Sequence, residues 1–141
     1  MENELELRCS VELIAKPKET VVDALKRLVH GIEENGKKLE VSSESYSEPK
    51  LVEKDFYSAF ATFNIKADFM SLVNFVLDYA PSSIEVLKPG KTEVSLADLQ
   101  TTLNDISGRL NEMDHLIKLY STQLLLTDKE NRGLKGKPDK Q

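Results

Sequence analysis

The sequence predicts an α+β fold: a four-stranded antiparallel sheet with two helices on one face, followed by a long coiled-coil-like helix. Three observations predict it. Residues 5–13 alternate apolar and polar with period two, as a half-buried strand does. From Lys18 the period becomes helical, and strand-like and helix-like segments then take turns as far as residue 94. From Leu96 the apolar residues step three and four apart without a break.

In the first strand Leu5, Leu7, Cys9, Val11 and Leu13 point one way, and Pro17 ends it. The first helix places Val21, Val22, Leu25, Leu28, Val29 and Ile32 on one face. Glu19 and Asp23 sit near its start, where the dipole favours anions, and Asn35-Gly36 is a stop signal. Lys37 to Tyr46 reads as a weaker second strand with Leu39 and Val41 inward. Ser42 to Lys54 is polar and interrupted by Pro49, which predicts a long hairpin with a loose tip. Phe56 to Ile65 is the third strand. Asp68 is placed to cap a short helix carrying Phe69, Leu72, Val73, Phe75, Val76 and Tyr79, and Pro81 stops that helix. Ile84, Val86 and Leu87 make the fourth strand, ended by Pro89-Gly90 and prolonged by Val94. The order β-α-β-β-α-β is that of the split βαβ, or ferredoxin-like, sandwich. Right-handed crossovers then put both helices on one face and order the strands 4-1-3-2. The expected domains are 1–94 for this α+β unit, 95–127 for an oligomerisation helix, and 128–141 for a flexible tail.

The final helix carries the strongest signal. Ser95 is an N-cap, with Asp98 three residues on. With Leu96 as a, the a positions are Leu96, Leu103, Leu110, Ile117 and Leu124, and the d positions are Leu99, Ile106, Met113 and Tyr120. A 3.5-residue period asks for a partner helix along its whole length. From Ser95 to Leu126 the helix spans roughly 48 Å at about 1.5 Å per residue, against about 20 Å for a six-residue strand. It therefore overhangs its own sheet, and a homodimer covers the overhang. Leu116, Leu119, Leu125 and Leu126 widen the apolar face toward the C-terminal end, so a tetramer is the other expected state. Arg109 at g and Asp114 at e are the only charged residues at those positions between Ser95 and Gln123. Reciprocal Arg109–Asp114′ pairs fit a parallel dimer. Phe56 and Phe60 fall on the outer face of the sheet, opposite Tyr57, Ala59, Ala61, Phe63 and Ile65. An outer face with aromatics needs a cover, from the start of the last helix or from a second subunit.

Composition narrows the function classes. The 141 residues carry a formal charge of −5, which excludes binding nucleic acid by bulk positive charge. Cys9 is the only cysteine, so no intrachain disulfide forms, and its place in a strand marks a small buried hydrophobe. No signal peptide opens the chain and no apolar run approaches about 18 residues, so no membrane contact is expected and a cytoplasmic location is. There is no phosphate-binding glycine loop and no metal-ligand spacing of Cys and His. His30, near the end of the first helix, and His115, beside Asp114, read as surface residues. The run Ser42-Ser43-Glu44-Ser45-Tyr46-Ser47-Glu48 reads as a solvated hairpin tip. No residue nominates itself as catalytic, cofactor-binding or metal-ligating, so neither an enzyme nor a cofactor is expected.

Ala59-Phe60-Ala61-Thr62-Phe63 resembles the second half of the signature on the third strand of RNA-recognition motifs. That resemblance implies single-stranded RNA stacked on Phe60. The first half of the signature is absent, with Phe56, Tyr57 and Ser58 in its place. The element order is also similar to small regulatory domains of the ACT type, which implies a ligand bound between subunits. The leading expectation is a non-enzymatic scaffold or interaction domain that self-associates through its C-terminal helix. An ACT-like small-molecule sensor and a single-stranded RNA binder are the alternatives.

Overall fold

The computed structural model describes residues 4–35 and 38–136. The elements are β1 (Glu4–Ala15), α1 (Lys18–Asn35), β2 (Glu40–Tyr46), β3 (Lys50–Glu53), β4 (Phe56–Asp68), α2 (Phe69–Tyr79), β5 (Ser83–Lys88) and α3 (Leu96–Gly136). They divide into two compact units, Met1–Leu99 and Gln100–Gln141.

The first unit is α+β, as expected, with five strands where four were expected. The sheet runs β2-β4-β1-β5, and β3 also pairs with β4; every pairing is antiparallel. With β2 and β3 taken as one interrupted strand, the neighbours are those of the expected 4-1-3-2 order. The interruption has a local cause. Between Ser42 and Ser45 the register slips, with Ser43 in the left-handed region at φ 54°. After Tyr46 the regular pairing ends, with the Ser47 N–H still donating to the Phe60 carbonyl at 2.9 Å, and it resumes on β4 at Lys50 beyond Pro49.

The expected loose tip is therefore structured. Leu51 pairs with Tyr57 and Glu53 with Phe56, leaving Lys54 and Asp55 as the turn, with Lys54 at φ 51°. The Ser42–Glu48 run lies on β2 and just beyond it rather than at a tip. The Ser47 hydroxyl oxygen accepts from the Phe60 backbone N–H at 2.8 Å. β4 extends past Ile65 to Asp68, and β1 spans Glu4 to Ala15. Val94 lies outside any strand.

Alternation decides what is buried. Leu5, Leu7, Cys9 and Val11 of β1 and Ala59, Ala61, Phe63, Ile65 and Ala67 of β4 face one side and are buried. Val21, Leu25, Val29 and Ile32 of α1 close over them, with Leu72 and Phe75 of α2. Both helices thus share one face of the sheet. Phe63 meets Phe75 edge-on at 6.1 Å, and Phe75 stacks on Tyr79 at 5.3 Å. Burying a large aromatic stabilises by roughly 1.5–3 kcal/mol.

The helix ends follow the local chemistry. α1 ends at Asn35, and Gly36 and Lys37, the rest of the stop signal and the start of the expected second strand, lie outside the described residues. Asp68 caps α2: its Oδ1 accepts from the Ser71 backbone N–H at 2.8 Å. At the other end Ala80 adopts the left-handed conformation, φ 45°, and donates its N–H to the Val76 carbonyl.

The second unit is helical and continues α3, whose cap and first turn belong to the first unit. The Ser95 hydroxyl accepts from the Asp98 N–H at 3.1 Å, the expected cap. α3 runs through 41 residues, about 60 Å at about 1.5 Å per residue, and continues past the expected end at Thr127 to Gly136. The stretch read as the start of a flexible tail has helix-forming chemistry: Asp128 and Arg132 are four apart and paired at 3.2 Å. Residues 137–141 lie outside the described residues.

Candidate interaction site

All nine a and d residues of α3 are exposed in the single chain. Leu96 is 83% accessible, Leu110 60% and Leu124 70%. Leu116, Leu119, Leu125 and Leu126 are exposed as well. A helix this long with an unbroken apolar seam is helical at its full length yet buries none of that seam within itself. Asp114, expected to face Arg109 of a second chain, pairs with Lys118 on its own helix at 2.8 Å. That pair is exposed and worth about 0.3–0.5 kcal/mol, too little to lock Asp114 away from another cation.

The outer face of the sheet is mixed rather than apolar. Phe56 and Phe60 are each 39% accessible. Around them the face is polar: Arg8 donates to Asn64 Oδ1 at 3.0 Å, Ser10 and Thr62 hydroxyls meet at 3.0 Å, and Ser58 donates to Glu12 at 2.7 Å. Lys16 lies over the Phe56 ring at 4.9 Å. Phe60, the residue that resembles a base-stacking position, is directly opposite Glu12 in the ladder.

The remaining chemically capable groups are quiet. Cys9 is 1% accessible, and burial pushes its thiol up to about 12, against a smaller opposing effect of Arg8. It stays a neutral thiol at physiological pH. His30 on α1 faces Glu44 on β2 at 3.4 Å, and Glu44 also accepts from the Tyr46 hydroxyl at 2.9 Å. Burial first, then Glu44, pushes the Tyr46 phenol up to about 12. His115 is exposed on α3. A hollow of about 630 Å³ opens between Lys16, Pro17, Lys18, Glu19, Asp55 and Tyr57, with both charge signs on its walls. Among the described residues no group of three or more His, Cys, Asp or Glu could hold a metal ion, and no helix is long and apolar enough to cross a membrane.

The family model that matches covers residues 6–131. The chain belongs to the MJ0538 family. No curated protein and no solved structure matches it. The match begins in β1 and ends within α3, so the family pattern includes the sheet, both of its helices and most of the long helix. The two units are parts of one family sequence rather than a domain with an unrelated extension.

Sequence reasoning missed β3 and the exposed character of β5. Leu51-Val52 between Lys50 and Glu53 was the available signal for the first. For the second it was the run Glu85-Val86-Leu87-Lys88, which is charged at both ends and apolar in the middle.

Proposed function

We propose that this chain is a non-enzymatic, cytoplasmic interaction domain: a ferredoxin-like head carried on a helix, α3, through which the chain self-associates as a scaffold. The observation that supports this reading most is the heptad seam from Leu96 to Leu124, apolar at every a and d position and exposed at each of them. Such a seam in water is stabilised by a second helix inserting knobs into its holes. A second copy of the same seam has the matching period and length. In a parallel dimer Arg109 meets Asp114′ twice, each pair contributing about 0.2–1 kcal/mol, enough to choose orientation rather than to hold the assembly. The RNA-binding alternative ranks below it: the candidate stacking residue Phe60 is opposite the acidic Glu12 in the ladder, and the chain's formal charge is −5. Among the described residues no ligand-binding constellation favours the small-molecule sensor.

Leu110→Asp tests the reading. The substitution puts an unpaired charge at the centre of the seam. The wild type is expected to scatter light as an oligomer at micromolar concentration and the variant to lose that assembly while keeping the far-UV signal of a folded head. A wild type that is monomeric throughout overturns the proposal.

A further inference from the structure

The two edges of the sheet differ. At the β2/β3 edge the ladder is broken by a bulge and a left-handed serine, and β3 is only four residues long, which discourages pairing with another strand. The opposite edge is β5, which is paired only with β1; it is regular over Ser83–Val86 and has a single slip, at Leu87, against two slips and a left-handed serine along the β2/β3 edge. Neither α1 nor α2 lies over it; they pack on β1, β2 and β4. Ile84 and Val86, on the inner side with Cys9 and Leu7, are therefore 45% and 58% accessible.

The outer face shows what this edge fits. Partners in an antiparallel ladder share a face. One row across the sheet reads Lys66, Glu6, Lys88, alternating in sign up to the free edge. The adjacent row reads Asn64, Arg8, Glu85 and also ends there, on the opposite sign. Lys88 and Glu85 share this face only because the register slips between them. Glu6 pairs with Lys88 and Leu7 with Val86, so Leu87 is the extra residue of a bulge. The edge thus presents, in order, a negative charge, two apolar residues and a positive charge. Run antiparallel against itself, this sequence is its own complement: Glu85 meets Lys88′, Val86 meets Leu87′, and both charge rows continue into the second sheet.

We propose that β5 is a self-pairing edge, at which two copies of this chain join antiparallel about a two-fold axis between Val86 and Leu87. This interface is separate from the α3 seam and does not rest on it. Backbone hydrogen bonds supply the attraction, the reciprocal charges fix the register, and opposite charges directly across a ladder are the favourable case.

The test uses the full chain carrying Leu110→Asp, so that association through α3 is removed and what remains is read at β5. By native mass spectrometry this chain is expected to be a dimer. Adding E85K places positive charges opposite one another across the two-fold; adding K88E places negative charges there. Each is expected to give monomer. Mixing the two variants restores opposite signs at both contacts, and a mixed dimer is expected. Each variant also meets one like charge on its own β1, Arg8 or Glu6, so far-UV circular dichroism checks folding, and the regained dimer separates register from misfolding. A monomeric Leu110→Asp chain, dimers indifferent to both charge changes, or a mixture that stays monomeric each overturns the proposal. Should Leu110→Asp leave an assembly larger than a dimer, the α3 reading fails, and the same charge series still reports on β5 by a halving of mass.

Discussion

The head and the long helix treat apolar residues in opposite ways. In the head, period-two strands and two amphipathic helices turn their apolar faces toward each other, and Phe63, Phe75, Leu25 and Ile32 are each about fully buried. In α3 the leucines are as numerous and as regular, yet all nine seam residues are exposed. The difference is geometric. A sheet and two helices enclose a volume, whereas a single helix of about 60 Å encloses none. Regular patterning therefore guarantees a core only where elements of the same chain can fold back on one another. The head encloses its core within one chain, and on the reading proposed above α3 offers its seam to a neighbour.

The largest effect that sharpens this contrast is in the head. Phe63→Ala removes the ring packed edge-on to Phe75 and should destabilise the head by about 3–5 kcal/mol. The loss should be the same at low and high protein concentration, because the contacts are within one chain. Leu110→Asp should do the reverse, changing assembly steeply with concentration and leaving the head's own transition in place. Chemical denaturation at two concentrations separates them. A Phe63→Ala loss that depends on concentration would mean that the head is not self-sufficient.

How much could be read from the residues follows the same division. The inward residues of β1, α1, β4 and α2 were legible because a mismatch of period would expose them, and nearly every residue named from the pattern is buried or half-buried. That the segment from Leu96 is one long helix was legible from its three-and-four spacing. β3 was not, since Leu51 and Val52 are exposed on both faces of a four-residue strand and leave no alternation to detect. Its existence depends on β4 being 13 residues long, a property of another segment. The end of α3 was hidden because Gly133 and Gly136 read as breakers, while Asp128 and Arg132, one turn apart, support the helix instead. The self-complementary edge at β5 was invisible for a stronger reason. It depends on a bulge that brings Lys88 onto the face of Glu85, and alternation alone would put these residues on opposite faces.

A middle-sized effect isolates the local chemistry of the head. Asp68 caps α2, and the Ser71 side-chain and backbone hydrogen bonds hold its carboxyl below the ordinary carboxylate value. Asp68→Ala should destabilise the head by about 1 kcal/mol at neutral pH. A group whose folded pKa is depressed stabilises above its unfolded pKa, about 3.9, and loses that contribution as pH falls through the folded value. The difference between wild type and variant should therefore be constant from neutral pH to about pH 5 and shrink below about pH 4. Thermal melts across that range check it, and a difference that grows toward acid would contradict the cap.

The smallest effect tests both regions with one chemistry. Gly31 in α1 and Gly108 in α3 sit inside helices, and a Cβ added at either meets nothing within 4 Å. Replacing an interior helical glycine with alanine stabilises by about 0.5–1 kcal/mol, because the unfolded chain loses freedom that the helix never used. The gain is of similar size in both places, but it should appear in different measurements. Gly31→Ala should raise the melting temperature of the head by the same few degrees at any protein concentration. Gly108 is at the f position, turned away from the a/d seam, so Gly108→Ala leaves the proposed contact surface untouched. On the proposed reading its gain belongs to a helix whose formation is coupled to association, and each chain contributes it once. It should therefore tighten self-association and leave the head's transition unchanged. If Gly108→Ala instead raises the head's own melting temperature and does not alter assembly, then α3 is stabilised as part of the head, and the contrast between the two regions fails.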